Sequence, residues 1–288
     1  MKTMKKTLTI ASLGLILSVI FPAIAQAQSA LDDIQKTGIL RVGIRQDSPP
    51  FGVLENQNWK GLCVAAAEQL KTSLEKKFNR PIRLEKLVTV SDPSSPQNRF
   101  KTVTSGRAHL ECGPNTIQKN PPQGVAFSQP FLYSGTYFLV SPQGKLLANP
   151  SGFMPNVTIG VLSGSLTQEL INARYQLAPK KVYEGLQGRA QGVRDAIDGK
   201  IDVFAGDRIV LVGEALRLGF KPEQFSIIPN EPISCVSYGL ILPANDSAWM
   251  KTINNFIDEN RSTDLLEKVY GKDSPFIKIS VFDQDKCI

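Results

Sequence analysis

The residues of this chain best suited to chemistry are charged or hydroxylated groups placed where apolar runs end. Arg45 directly follows the run 39–44, and Arg99 opens a helical stretch behind Asn98. A guanidinium offers a planar fork of donors that pairs with a carboxylate and keeps its charge. Taken singly, each arginine reads more readily as solvated surface charge. Asp207 follows an apolar run and Gly206. A carboxylate so placed is partly desolvated and needs a cation or donors beside it, or else it caps the next helix. Thr116 ends the loop Gly113-Pro114-Asn115-Thr116, and Ser165 ends the turn Ser163-Gly164-Ser165. Thr116 reads as a ligand hydroxyl or as turn chemistry. Ser165 reads as a helix N-cap, or as a donor at a helix start whose free N–H groups favour an anion. Such a set binds charged groups and does not break bonds. The single histidine, His109, falls inside a strand and suits a core or sheet-face role. No Ser–His–Asp set and no metal-ligand spacing is present, so neither catalysis, a metal nor a cofactor is expected.

The elements that must position these residues form two series. Runs 39–44, 82–90 and 108–112 read as strands, separated by helices at 62–78 and 98–104. Apolar residues every four positions (Leu62, Ala66, Leu70, Leu74) mark the face that the first of these helices buries. Strand, helix, strand, helix, strand predicts a parallel sheet with right-handed crossovers. A ligand then sits at the carboxyl ends of the strands, where the Gly113–Thr116 loop falls. A second series follows the Pro/Gly-rich patch 142–156, with strands at 157–161, 181–183 and 201–205 and helices behind 165, at 192–197 and at 209–218. The extended segments 132–141 and 234–242 read as two hinge strands. Helices at 247–259 and 263–270 are expected back on the first lobe. The organisation expected is therefore a leader at 1–27, lobe 1 from 28–138 plus 239–288, and lobe 2 from 139–238.

The leader carries three lysines before an apolar stretch and small-x-small cleavage sites around 23–27, the pattern of a secretory signal peptide. The chain's formal charge of +7 falls by those three lysines to +4. No basic block reads as a nucleic-acid surface. Four cysteines, Cys63, Cys112, Cys235 and Cys287, fit no zinc pattern. An exported chain can pair them in three ways, while buried free thiols remain an alternative for Cys63 and Cys112.

Asn98-Arg99, Glu111-Cys112-Gly113, Thr116 and Ala126-Phe127-Ser128, in that order, resemble the periplasmic solute-binding proteins of amino-acid ABC importers, family 3. The resemblance covers about 31–270 and is closest to the glutamate/aspartate branch. It implies a type II fold of two α/β lobes, a periplasmic monomer, and delivery of an amino acid or dicarboxylate to a membrane permease. It also implies roles: Arg45 and Arg99 on the ligand's distal carboxylate, Thr116 and Ser165 at the α-carboxylate end, and Asp207 on the α-ammonium. Arg189 stands where that branch has a histidine, which implies a third guanidinium at the distal carboxylate. Two other departures are Pro121, where an arginine clamp is usual, and Gly61-Leu62-Cys63-Val64-Ala65, which lacks two acids. Lys119 could compensate for the first. The ligand expected carries a carboxylate beyond the α-position. The other classes considered are a dehydratase on the same fold, using Glu111 or Asp207, and a sensor that does not transport.

Overall fold

A computed structural model describes residues 29–146, 153–280 and 287; the leader expected at 1–27 lies outside them. From the N-terminus run α1 (Ala30–Thr37), β1 (Ile39–Arg45), β2 (Asp47–Ser48), β3 (Gly52–Glu55), β4 (Asn58–Lys60), α2 (Leu62–Phe78), β5 (Arg83–Thr89), α3 (Arg99–Thr104), β6 (Leu110–Cys112) and β7 (Val125–Phe127). The chain then enters β8 (Leu132–Val140), β9 (Ile159–Leu162), α4 (Leu166–Arg174), β10 (Lys180–Tyr183), α5 (Gly188–Ile197), β11 (Val203–Asp207), α6 (Arg208–Arg217), β12 (Ser226–Ile228) and β13 (Ser234–Tyr238). It closes with β14 (Ile241–Pro243), α7 (Ser247–Glu259), α8 (Ser262–Tyr270) and α9 (Pro275–Ser280).

Two sheets define two lobes. The first has the order β5-β1-β6-β14-β7, and the second β10-β9-β11-β8-β12 with β13 also on β8. In the first, β1 pairs in parallel with both β5 and β6. In the second, β9 pairs in parallel with β10 and β11, while β8 runs antiparallel to β11, β12 and β13. The inner parallel strands β1, β9 and β11 are mostly apolar because helices cover both faces, whereas the edge strands β5 and β10 carry charged residues. Leu40, Val42 and Ile44 are buried in the first lobe, and Ile159, Val161 and Val203 in the second.

The crossings between lobes lie at 128–132 and 238–241. The segment 234–242 is not one strand: β13 belongs to the second sheet and β14 to the first, with a break at Gly239 and Leu240. Two further elements were not expected. The meander β2-β3-β4 fills 47–60, and α9 packs on α6, where the Arg208 Nε donates to the Ile279 carbonyl at 2.6 Å. The C-terminal stretch therefore touches both lobes.

The cysteines are paired as Cys63–Cys112 and Cys235–Cys287, with no free thiol. The buried-thiol alternative is thereby overturned. The first bridge bolts the start of α2 to the end of β6. Among the described residues no helix is long and apolar enough to cross a membrane.

Candidate functional site

A cavity of about 230 Å3 opens between the lobes at the carboxyl ends of the strands, and Arg45, Arg99, Thr116, Ser165, Arg189 and Asp207 all line it. Each arrives by a local route. Arg45 ends β1. Arg99 begins α3 because Asn98 caps that helix, its side chain accepting from the Phe100 and Lys101 N–H groups. Thr116 is held by a ladder between the loop after β6 and the second crossing: the Ile117 N–H donates to the Ser237 carbonyl and the Gly239 N–H to the Asn115 carbonyl.

The second lobe supplies the rest. Ser165 caps α4, accepting from the Gln168 N–H at 3.1 Å and donating to the Leu162 carbonyl at 2.7 Å. Its hydroxyl is thus engaged, and the α4 N-terminus itself faces the cavity through Ser165, Leu166 and Thr167. Arg189 lies in the first turn of α5 and is 8 % exposed. Asp207 ends β11 and makes no side-chain cap to α6, so the helix-cap alternative does not describe it. Its carboxylate accepts from the Tyr238 hydroxyl and, at 3.1 Å, from the Thr136 hydroxyl.

The three arginines differ in what they already hold. Arg45 is 2 % exposed and forms a two-bond pair with Asp47, Nε to Oδ1 at 2.8 Å and Nη2 to Oδ2 at 2.9 Å. Burial alone would lower the Arg45 basicity and raise the Asp47 carboxyl. Their mutual attraction outweighs it, so Arg45 is raised and Asp47 lowered. Among the described residues neither Arg99 nor Arg189 forms a salt bridge, and each buries an Nε without a hydrogen-bond partner; Arg99 stacks its guanidinium over the Phe100 ring at 4.8 Å. Burial, then repulsion from Arg45, brings Arg99 down to about 10. Burial likewise lowers Arg189, against the attraction of Asp47. Burial raises the Asp207 carboxyl, opposed by its hydrogen bonds and by Arg189. No cation forms a salt bridge with it among the described residues.

Beneath Arg45 lies Glu111, wholly buried, accepting from the Thr89 hydroxyl at 2.8 Å and the Asn115 amide at 2.5 Å. Gly43 of β1 lies between these residues. A Cβ there would meet the Glu111 and Thr89 side chains at 2.9 Å. Glu111 is not part of the cavity wall, which removes one of the two carboxylates considered for acid–base work. Lys119 and Pro121 are exposed and also off the wall, so Lys119 does not replace the missing arginine. His109 is spent on structure, its ring contacting Asp33 and the Arg41 backbone N–H. Among the described residues no cluster of three metal-ligating side chains exists.

Sequence reading missed Asp47 and Tyr238. Asp47 was findable: in extended backbone, residues two apart share a face, so Asp47 belongs beside Arg45. Tyr238 comes from a strand thirty-one residues away from Asp207, and no local pattern announces it.

Two α/β lobes joined by two crossings, with a cavity between them that mixes charged and hydroxyl groups with apolar side chains, define the type II periplasmic-binding-protein fold. The chain belongs to the bacterial extracellular solute-binding proteins, family 3, whose profile matches residues 40–272. It is 28 % identical over 249 residues to the glutamate/aspartate import solute-binding protein of Salmonella typhimurium, covering 85 % of this chain and 80 % of that one. It is 26 % identical to the cyclohexadienyl dehydratase of Pseudomonas aeruginosa, covering 88 % of this chain and 89 % of that one. Among solved structures, an ancestral amino acid-binding protein, a precursor of cyclohexadienyl dehydratase, superposes with a TM-score of 0.69 at 19 % identity, covering 85 % of this chain and 99 % of that one.

Proposed function

We propose that this protein captures an amino acid bearing a second carboxylate in the interlobe cavity and presents it to the permease of an ABC importer. One observation carries the reading. Half-buried Arg99 and buried Arg189 form no salt bridge among the described residues, each leaves a buried Nε without a hydrogen-bond partner there, and they share a cavity with a carboxylate, Asp207, that has no cation in contact among those residues either. An acidic amino acid supplies what each group lacks. The distal carboxylate takes Arg99 and Arg189, with Arg45 adding its remaining Nη1 donors. The ammonium takes Asp207. The α-carboxylate takes the Thr116 hydroxyl and the N–H groups that open α4, of which Gln168 alone is used by Ser165. That helix end compensates for Pro121, because a helix N-terminus offers both donors and a favourable dipole.

Names of relatives support the same class: the Salmonella typhimurium protein imports glutamate and aspartate. Two disulfides suit a chain exported to the periplasm, where it acts as a monomer with its leader removed. The lobes close on the ligand about the crossings at 128–132 and 238–241.

Calorimetry with glutamate, aspartate, neutral amino acids and amine-free dicarboxylates tests this. Acidic amino acids should bind at least about a hundredfold tighter than neutral ones, since a neutral ligand leaves buried charge unpaired. A neutral amino acid that binds best, and equally to Arg99→Ala and Arg189→Ala, overturns it. Prephenate or arogenate should yield no product.

A further inference from the structure

We propose that Asp47 sets the charge of the anion pocket, so that it accepts a singly charged distal carboxylate and discriminates against a doubly charged phosphonate or phosphate group. The inference rests on the amino-acid reading above and deepens it. Three guanidinium groups line the cavity, but their charge is not all available. Asp47 engages Arg45 through both carboxylate oxygens, and the pair is 2 % and 6 % exposed. A pair so buried and so well matched in geometry adds donors to the pocket and no net charge. Arg99 and Arg189 then face the ligand with two charges.

Asp47 is also more than a prop for Arg45. It stands within electrostatic reach of Arg99 and Arg189. Its outer side forms part of a second cavity of about 440 Å3, which shares Ser91 and Leu162 with the first. A ligand anion entering from that side meets a fixed negative charge close to its own. The repulsion grows with the ligand's charge, so a dianion is penalised about twice as much as a monoanion. Specificity here is set by a repulsive element as well as by attractive ones.

The test compares two probes in each protein by calorimetry, at a pH where the phosphonate is doubly ionised: L-glutamate and L-2-amino-4-phosphonobutanoate. The wild type should prefer glutamate. Asp47→Asn should move the phosphonate-to-carboxylate preference at least about tenfold toward the phosphonate. A merely structural role would weaken both probes alike, and an unchanged ratio overturns the inference. Asp47→Asn leaves Arg45 buried without its counter-charge and can fail to fold, so a second variant replaces both partners. Arg45→Met/Asp47→Leu removes no net charge: losing the Arg45 donors should weaken both probes while their ratio stays that of wild type, and a ratio shifted as far as the single variant was expected to shift it overturns the proposal. If no amino acid binds the wild type, the amino-acid reading fails by itself. The part played by Asp47 is then read from the melting temperature in sulfate against chloride. Sulfate should stabilise Asp47→Asn more than wild type, or, where that variant does not fold, stabilise the double variant no more than wild type. Any other order overturns it.

Discussion

Among the described residues Arg99 has no carboxylate within salt-bridge reach, and the more distant Glu111 and Asp47 favour its charge only in part. Burial and the neighbouring Arg45 disfavour its cationic form, bringing it down to about 10. A cation whose folded-state pKa is lowered detracts from stability at every pH below its unfolded value. Arg99→Met should therefore stabilise the empty protein, by about 1–3 kcal/mol in chemical denaturation, while abolishing capture of an acidic amino acid. Loss of stability together with loss of binding would mean that Arg99 is structural. Asp207 has the opposite sign of problem. Burial raises its carboxyl, and an ammonium ligand needs it ionised, so the bound state lowers it again. Between the two values binding releases a proton. Affinity for an amino acid should accordingly fall as pH drops through the carboxyl's value in the empty protein, and heats in buffers of different ionisation enthalpy should report the proton. Asp207→Asn should weaken amino acids by about 2–5 kcal/mol and flatten that pH profile. At this scale the sequence was informative about which residues line the cavity where residue type and chain position coincide, as at Arg45, Arg99 and Asp207. It was silent on Tyr238, whose partnership exists only once β13 lies beside β8.

Elements were legible in proportion to their length and periodicity. The helix expected at 62–78 matches α2, although its buried face runs through Leu62, Cys63, Ala67, Leu70 and Leu74, with Cys63 and Ala67 in place of Ala66. The meander β2–β4 escaped because its strands are two to four residues long and largely polar. The first turn of α5 escaped because Gly188 begins it and apolar periodicity starts only at Gly192 and Val193. That turn carries Arg189, so the position of the charge depends on how α5 seats. It seats through Gly192: a Cβ there would lie 2.2 Å from the Phe204 ring of β11. Gly192→Ala should force α5 outward, destabilise the second lobe by about 1–3 kcal/mol, and weaken acidic ligands by displacing Arg189. Denaturation and ligand titration on one variant check both effects, and an unchanged affinity would show that Arg189 does not depend on the seating of α5.

At the scale of the whole molecule, the two lobes meet behind the cavity where α6 of the second faces Pro49 and Pro50 of the first. Gly213 makes that approach possible. A Cβ at this position would lie 2.6 Å from the Pro49 carbonyl oxygen and 2.9 Å from the Pro50 ring. Neither atom is the end of a flexible side chain, so the lobes themselves must shift. Alanine is otherwise the better residue in a helix by about 1 kcal/mol, and Gly213→Ala should leave helix content intact. Its effect must then come from the fit between lobes. In a two-state picture, a variant that disfavours the close arrangement lowers the fraction able to hold ligand, and apparent affinity falls by that fraction. Affinity should drop about tenfold for a bias of about 1.4 kcal/mol. The loss should appear in faster release, since encounter uses the open form. X-ray scattering should show a smaller ligand-induced decrease in radius of gyration than in wild type. If Gly213→Ala binds and compacts as the wild type does, the contact at Pro49 does not limit closure, and the crossings at 128–132 and 238–241 alone govern how far the lobes move.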